Sequence, residues 1–344
     1  MKKSKLWIGG EHIEPSSGEY FEDLNPSDQT VIASVAKGTP NDVDKAVRSA
    51  QDAFHSFSES QAKEREAILS RAAALVERDR DQYLQLLIEE VGSPIMKAQF
   101  EVDYCINAFR AASGVPRRLT GQTMPLDRPG AFGMSIREPV GVVACITPFN
   151  VPLLKNVKQI AMVIATGNTS VLLPSEFASQ ITVKFAETLN EAGAPAGVFN
   201  YVTGNPFEIG DTLTRHPEIA AINFCGSPRI GKHVAELAAK DLKPVTLELG
   251  GKNPLVVLDD ADLDKALEAA TIGIFFFQGQ ACMASSRIIL QRGIAPKFIS
   301  AFKEIASGIK VGDLSDPETA IGPIISSRQQ DRVKEHIRDA LSKG

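Results

Sequence analysis

The chain has 344 residues, more than one typical domain, and its 43% hydrophobic and 23% charged residues are ordinary for a folded protein. The formal net charge of −5 and the lack of clustered Lys and Arg argue against a nucleic-acid partner. The four cysteines include no CxxC pair, so neither a disulfide framework nor a metal site is expected. No apolar run is long enough for a signal peptide or a membrane span, which predicts a cytoplasmic protein without membrane contact.

The first part of the chain has three kinds of segment. Residues 1–38 contain many turn residues and are predicted to form short strands. Three helical segments follow, starting at Thr39, running from Gln61 to Val91, and covering PIMKAQFEVDYCINAFRAASG. Gly and Pro then interrupt residues 119–138, which predicts either a β-arm that contacts another subunit or a long surface hairpin.

From Val140, apolar runs alternate regularly with helical stretches. The five runs are VGVVACIT, TSVLLP, GVFNYVTG, IAAINFCG and PVTLEL, and four helical stretches separate them. This alternation predicts a parallel sheet covered on both faces. Ligands of such sheets bind at the carboxyl ends of the strands, so TPFN, PSE, TGNP and CGSP are expected in or near one crevice.

After ELGGKNP a second α/β region is predicted, and it includes Cys282 in FFFQGQACMASSR. A lone cysteine is usually a small buried hydrophobic residue. Here a Gly-Gln turn precedes the cysteine, and the small residues Ala284, Ser285 and Ser286 leave room beside the sulfur. A nucleophile, reactive as the thiolate, is the favoured interpretation.

Three other positions are candidates for chemistry. Glu248 ends an apolar strand, where a carboxylate is costly unless it is used; the alternative is a turn cap or a pair with Lys252. Asn150 follows the first strand of the sheet and either donates to a developing oxyanion or is an ordinary turn residue. Ser227, beside Gly226, starts a helix in a way suited to phosphate, although this spacing alone is a weak signal.

Five motifs in order, PFN, GNTSVLLPSE, FCGSPRIG, ELGGKNP and FFFQGQACMASSR, resemble those of the NAD(P)-dependent aldehyde dehydrogenase superfamily over essentially the whole chain. The resemblance implies oxidation of a small-molecule aldehyde to a carboxylic acid. Cys282 would attack the aldehyde to give a thiohemiacetal and then a thioester, while Asn150 and the Cys282 N–H hold the oxyanion. Glu248 would activate the water that releases the acid.

The resemblance also implies a cofactor site. Glu176 matches the acidic residue that accepts from the adenosine ribose, which favours NAD over NADP. Gly226 and Ser227 match the pyrophosphate-binding helix start. The other residues expected to contact the cofactor are Ile146, Phe149, Gly204, Gly231 and Leu249. Three positions depart from the family pattern, where Leu173 replaces lysine, Pro206 replaces glycine and Phe277 replaces asparagine.

The expected fold is α/β, with a Rossmann-like parallel-sheet domain and a second, incomplete α/β domain. Residues 1–118 and 139–249 would form the NAD-binding domain, residues 119–138 an oligomerisation β-arm, and residues 250–344 the N-terminal part of the catalytic domain. Family chains continue further, so a truncated chain with unpaired strand edges and an exposed apolar face is expected. A homo-oligomer is expected if the family interface is retained.

Two other functions stay open on the sequence. One is a truncated homologue that binds nucleotide or partner subunits with weak or no turnover. The other is a cysteine hydrolase that uses thioester chemistry without a cofactor. The stretch PFNVPLLKNVK and the FFF before the cysteine turn are similar to the benzaldehyde and vanillin dehydrogenase branch, although such phenylalanines are more typical of a core.

Overall fold

The computed structural model describes residues 2–344, which form fourteen strands, eleven α-helices and two 3-10 turns, Pro116–Arg118 and Phe276–Gly279. The strands are β1 (Lys2–Ser4), β2 (Leu6–Ile8), β3 (Glu11–Ile13), β4 (Tyr20–Leu24), β5 (Val31–Ala36), β6 (Gln122–Met124), β7 (Gly133–Ser135), β8 (Val142–Ile146), β9 (Thr169–Leu173), β10 (Phe199–Tyr201), β11 (Ile219–Gly226), β12 (Val245–Leu249), β13 (Asn253–Val257) and β14 (Ser285–Leu290). The helices are α1 (Pro40–Phe57), α2 (Ala62–Arg78), α3 (Arg80–Val91), α4 (Ile95–Ser113), α5 (Pro152–Ala165), α6 (Ser179–Glu191), α7 (Pro206–Arg215), α8 (Pro228–Ala239), α9 (Leu263–Phe275), α10 (Ala295–Gly308) and α11 (Ser327–Ser342).

The central sheet has the order β12-β11-β8-β9-β10-β2-β3, and its first five strands are mutually parallel. These are the five strands expected from the apolar runs, so that prediction is confirmed. Successive side chains of a strand point to opposite faces. Val142 and Ala144 pack with α1, α7 and α8, whereas Val143 and Cys145 pack with helices α2 to α6. Helices therefore cover both faces, as the continuous apolar runs indicate.

The N-terminal segments match the sequence prediction except at one point. Strands β1, β4 and β5 form a small sheet of their own, and β2 and β3 extend the central one. The prediction of one helix from Gln61 to Val91 is wrong, because the chain breaks at Asp79 into α2 and α3. The Asp79 carboxylate accepts hydrogen bonds from Arg78 and from Lys184 of α6. The Asp79 backbone, with φ of −94° and ψ of 22°, lies outside the helical region, so it ends α2 and begins α3.

Residues 119–138 contain the antiparallel hairpin of β6 and β7, with Gln122 paired to Ser135. An extended hairpin agrees with both sequence interpretations, the β-arm and the surface hairpin. Its apolar side chains lie in solvent. They are Met124, Leu126, Phe132, Met134 and Ile136.

The second α/β region is built on a parallel pair of strands, β13 and β14, against which α9 and α10 pack. Its small core contains Val257, Leu267, Ala270, Ile294 and Phe298. Within residues 2–344 these two strands pair only with each other, and Val256 and Ile289 are more than half exposed. The expected unpaired edge and exposed apolar surface are therefore present in the part that the structure describes. Helix α11 follows this region and begins after the N-cap Ser326.

Candidate active site

The carboxyl ends of β8, β9, β11 and β12 lie at one edge of the central sheet. Because these strands are parallel neighbours, the residues that follow them share this edge. Asn150 follows β8, Glu176 follows β9, Ser227 follows β11, and Glu248 is the fourth residue of β12. We call the space that these four residues border the crevice.

Cys282 lies in the loop between the Phe276–Gly279 turn and β14, and its side chain is exposed. The other three cysteines, Cys105, Cys145 and Cys225, are buried. Burial raises the pKa of the Cys145 thiol to about 12, so that thiol is unreactive near neutral pH. Of the four thiols, Cys282 is the accessible one. Asn253 fixes its main chain by donating from Nδ2 to the carbonyl oxygen of Cys282 at 2.9 Å.

The turn before Cys282 is held by long-range contacts. Phe277 and Gln278 both have left-handed backbones, with φ of 48° and 56°. Such conformations are costly for residues other than glycine and persist where the surroundings enforce them. The buried Phe277 ring lies 4.2 Å from Nζ of Lys97, and the Gln278 amide donates to the carbonyl oxygen of Pro323 at 3.1 Å. The departure from asparagine at 277 thus places a core side chain at a strained position.

The second glutamine of the turn, Gln280, joins the cysteine loop to two other segments. Its Oε1 accepts a hydrogen bond from the N–H of Ile325 at 3.1 Å. Its main-chain carbonyl accepts from Nδ2 of Asn150 at 2.9 Å. The Asn150 Oδ1 in turn accepts from the N–H of Val151 at 3.0 Å. Since an amide group has two N–H donors, one donor of Asn150 is left for a ligand.

Glu248 faces the crevice from the edge strand β12. Its side chain is 64% exposed, and Oε2 lies 3.7 Å from Nζ of Lys155. The ion pair therefore forms with Lys155 and not with Lys252, which was the alternative weighed on the sequence. The main-chain carbonyl of Lys252 instead accepts from Arg287 at 3.0 Å. Glu248 is thus accessible to water while it stands beside a cation.

Two residues of this region carry no sequence signal, Lys155 and Cys225. Burial raises the pKa of the Cys225 thiol, and the neighbouring Lys155 ammonium opposes that rise. The charges of Cys282 and Glu248 also act on Cys225, which therefore lies among all three side chains. Lys155 follows Asn150 by five residues on a mostly apolar helix, but its burial is visible only in the folded structure.

Three of the cofactor candidates, Ile146, Glu176 and Gly204, border two hollows at the same edge. The two hollows have volumes of about 260 Å³ and about 230 Å³.

 The hollow of about 260 Å³, called the edge hollow, is lined by Ile146, Leu173, Glu176 and Phe224 among others. A separate hollow of about 420 Å³ lies between α4 and α5 and borders none of the cofactor candidates.

The edge hollow suits a flat apolar ring with a polar group at its rim. Leu173 and Pro206 contribute apolar walls, and the half-buried Glu176 contributes the carboxylate. An adjoining hollow of about 230 Å³ is also bordered by Glu176, together with Gly204 and Lys37. A carboxylate beside apolar side chains is an arrangement that could hold the adenosine part of a dinucleotide. Leu173 and Pro206, two departures from the family pattern, are therefore packing surfaces.

The helix start after β11 has the expected form. Ser227 is the N-cap of α8, its Oγ accepts from the N–H of Ile230 at 3.4 Å, and a proline stands at the first helical position. Gly226 and Gly231 lie so close to neighbouring side chains that a Cβ would not fit. A Cβ at Gly226 would lie 2.6 Å from the Phe224 ring, and one at Gly231 would lie 2.5 Å from the Leu249 side chain. Free N–H groups at such a terminus suit a pyrophosphate.

The remaining cofactor candidate, Phe149, lies next to Asn150 and packs edge-on against Phe177, with ring centroids 6.1 Å apart. Both rings are partly buried against the core on the α2 to α6 side. Phe149 thus holds the segment between β8 and α5 in place, and Ile146 is the residue of this segment that borders the edge hollow.

Comparison with known proteins decides the family. The model of the aldehyde dehydrogenase family matches residues 12–344. This protein belongs to the aldehyde dehydrogenase family. It is 36% identical over 346 residues to salicylaldehyde dehydrogenase of Pseudomonas putida, covering 99% of this chain and 72% of that protein. It is also 36% identical over 342 residues to vanillin dehydrogenase of Pseudomonas fluorescens, covering 98% and 71%.

Solved structures of family members agree with this assignment. A salicylaldehyde dehydrogenase from Pseudomonas putida G7, complexed with salicylaldehyde, matches with a TM-score of 0.97 and 36% identity, over 100% of this chain and 72% of that one. A betaine aldehyde dehydrogenase from Staphylococcus aureus in complex with NAD+ matches with a TM-score of 0.97 and 32% identity, over 99% and 68%. An E. coli NADP-dependent enzyme matches with a TM-score of 0.97 and 34% identity, over 100% and 71%. The chain is therefore an NAD(P)-dependent aldehyde dehydrogenase.

Among residues 2–344, no helix combines the length and apolar character needed to cross a bilayer. The same residues contain no group of three or more His, Cys, Asp and Glu side chains placed to hold a metal ion.

Proposed function

We propose that this family member oxidises an aromatic aldehyde with NAD+, using Cys282 as nucleophile, Asn150 as oxyanion donor and Glu248 as general base. The observation that carries the proposal is the hydrogen bond from Asn150 to the carbonyl of Gln280, two residues before the exposed Cys282. This bond holds an amide donor beside the loop of the accessible thiol. Glu248 borders the same crevice and is open to water.

The first step is the attack of the Cys282 thiolate on the aldehyde carbon. A C–S bond forms, and the π electrons of the carbonyl move to its oxygen. The second N–H of Asn150 donates to that oxyanion, and so does the main-chain N–H of Cys282. Two fixed donors aimed at the developing charge stabilise the thiohemiacetal without reorganisation at the moment of reaction.

NAD(P), when bound, supplies the acceptor for the hydride of the thiohemiacetal carbon. Ser227, at the start of α8, would hold the pyrophosphate, and Glu176 would hold the adenosine ribose. After oxidation Cys282 carries the acyl group as a thioester. Covalent capture of this kind divides one difficult reaction into two easier ones.

Release of the acid needs an activated water. Glu248 takes a proton from water, the resulting hydroxide attacks the thioester carbon, and the C–S bond breaks to return the Cys282 thiolate. The exposed position of the Glu248 carboxylate supports this role, because water reaches it directly. The nearby Lys155 balances its charge in the crevice.

The preference for NAD over NADP rests on opposing charges around one hollow. The Glu176 carboxylate would accept hydrogen bonds from ribose hydroxyls and repel a 2′-phosphate. Arg328 borders the same hollow and has the opposite preference. Leu173 stands where the family has a lysine, so this position offers a 2′-phosphate no positive charge. Because the half-buried Glu176 is the better match to a partner of the ribose, NAD is favoured.

The proposed substrate class comes from the relatives, whose names specify salicylaldehyde and vanillin, both aromatic aldehydes.

The homo-oligomer is proposed from the hairpin of β6 and β7, whose exposed apolar side chains are of the kind that protein interfaces cover. Replacing Phe132 and Met134 with serine should lower the mass measured by light scattering. An unchanged mass would show that the hairpin is not part of the interface.

The proposed location is the cytoplasm, because its reducing environment suits an exposed free thiol at Cys282.

The proposal is tested with purified protein, a panel of aromatic and aliphatic aldehydes, and NAD+ or NADP+. Formation of reduced cofactor is followed by absorbance, and cofactor binding by calorimetry. Faster turnover of aromatic aldehydes with NAD+ is expected. Cofactor binding without oxidation of any aldehyde would instead support a nucleotide-binding homologue without turnover. Acyl-ester hydrolysis without cofactor binding would support a cysteine hydrolase.

A further inference from the structure

Lys155 is a mostly buried lysine whose ammonium group has no strong acceptor in the protein. It is the fourth residue of α5 and is 9% exposed. Its nearest carboxylate oxygen, Oε2 of Glu248, is 3.7 Å from Nζ, beyond hydrogen-bond distance. Its other neighbour, the Cys225 thiol, is a weak acceptor. Lysine side chains are rarely this buried without a strong oxygen acceptor, so the position calls for a reason.

Lys97 provides a comparison within the same protein. Its side chain is equally buried, at 2% exposed, but its Nζ donates to Glu101 at 2.6 Å and to Ser93 at 3.0 Å. Lys97 is therefore saturated by protein acceptors, as a structural buried lysine should be. Lys155 has no comparable oxygen partner among residues 2–344.

The surroundings of Lys155 place its ammonium at the crevice. Helix α5 begins two residues after Asn150, and the Glu248 carboxylate beside Nζ is open to solvent. Cys225 lies among Lys155, Glu248 and Cys282. An ammonium group has three N–H donors, and at most one of them is directed at Glu248. At least one donor is thus available to a molecule bound near the Cys282 sulfur.

We propose that Lys155 is a specificity residue that binds an oxygen substituent of the substrate, a hydroxyl or phenolate carried on the ring of an aromatic aldehyde. This inference rests on the proposed function and deepens it, because it names the chemical group that the site selects. An oxygen atom on the ring accepts a hydrogen bond from Nζ of Lys155, which has no strong acceptor in the free protein. An unsubstituted ring offers Nζ no acceptor.

The test compares benzaldehyde with 2-, 3- and 4-hydroxybenzaldehyde as substrates of the unmodified protein and of Lys155→Met. For at least one hydroxy isomer, kcat/KM should fall about 10- to 100-fold, the loss expected when a charge-assisted hydrogen bond is removed. The loss for benzaldehyde, which includes any effect of Lys155 on Glu248, should be at least about 10-fold smaller than the loss for that hydroxy isomer. Lys155→Arg should recover part of the loss, because it keeps the charge. Lys240→Met, at the far end of α8, is the matched control.

Equal losses for benzaldehyde and all three hydroxybenzaldehydes would overturn the proposal, since they would show that Lys155 acts through Glu248 or through folding. A binding measurement separates this failure from failure of the proposed function. In a Cys282→Ala background, calorimetry should show weaker binding of the preferred hydroxybenzaldehyde once Lys155 is also replaced by Met. Unchanged binding there would contradict the role of Lys155 even if no aldehyde were oxidised by the unmodified protein.

Discussion

The side-chain amide of Asn150 donates a hydrogen bond to the main-chain carbonyl of Gln280 at 2.9 Å. The two residues are 130 positions apart in the chain, one after strand β8 and the other in the loop of Cys282. The bond ties the carboxyl edge of the central sheet to the accessible thiol. Asn150 thus combines two tasks, since one N–H fixes the loop and the other is left for an oxyanion.

Replacing Asn150 with alanine should therefore remove both the loop contact and the oxyanion donor. We expect kcat/KM for aldehyde oxidation to fall about 100- to 1000-fold, the loss typical for a deleted oxyanion donor. Initial rates of cofactor reduction give the measurement. Asn190→Ala, at an exposed position near the end of α6, is the control. An Asn150→Ala protein with nearly full activity would exclude this residue from the oxyanion site.

Replacing Glu248 with glutamine should separate the two halves of the reaction. Acylation of Cys282 does not need the base, whereas release of the acid does. We expect a rapid burst of reduced cofactor, stoichiometric with active sites, followed by turnover slowed about 100-fold or more. Stopped-flow absorbance measures the burst, and Glu268→Gln on α9 serves as the exposed control. Loss of the burst together with the turnover would place Glu248 before acylation.

Replacing Glu176 with glutamine should change the cofactor preference. Without the carboxylate, repulsion of a 2′-phosphate is removed and one strong ribose acceptor is lost. The ratio of the NADP and NAD dissociation constants should shift about 10-fold toward NADP. Arg328→Gln should shift it in the opposite direction, because Arg328 borders the same hollow. Calorimetry measures both constants, with Glu218→Gln as control. Identical ratios in all variants would show that neither charge reaches the ribose.

The pH dependence of stability should reflect Asp23, a 2% exposed carboxyl in β4 whose Oδ2 has no hydrogen-bond partner. Burial raises the pKa of Asp23 to about 6, above its ordinary value of 3.8, next to the buried Glu90. The folded state therefore favours the protonated form, and the free energy of unfolding should fall by about 3 kcal/mol as pH rises from about 4 through about 6.

Asp23→Asn should remove this part of the pH dependence and be more stable than the unmodified protein near neutral pH. Urea unfolding at a series of pH values between about 4 and 8 gives the measurement. Glu22→Gln, at the exposed neighbouring position of the same strand, should leave the pH dependence unchanged. A slope that persists in Asp23→Asn would assign it to another group.

The parts that could be predicted from sequence are those that depend on local pattern. Strands β8, β9 and β10 are buried on both faces, and the five runs of β8 to β12 are all apolar in sequence, so their parallel arrangement followed. The start of α8 was readable from Ser227 and the proline after it. The exposed loop of Cys282 was expected from the small residues around it.

The parts that could not be predicted depend on contacts between distant positions. At the break between α2 and α3, Asp79 is bound by Lys184 of another helix, 105 residues away. Gln278 and Gln280 looked like simple turn residues, but their side chains bind segments 45 residues further along the chain. Lys155 resembled an ordinary helix lysine until folding placed it beside Glu248. Such pairings are set by the packed fold, and no local pattern encodes them.

The central claim is that the Cys282 sulfur carries the acyl group during aldehyde oxidation. The most direct measurement is mass spectrometry of Glu248→Gln protein after rapid quenching with aldehyde and NAD+, followed by peptide mapping. We expect the acyl mass on the peptide that contains Cys282, and neither acylation nor turnover once Cys282→Ala is added. Aldehyde oxidation at the normal rate by Cys282→Ala alone, or acylation of a different residue, would contradict the account.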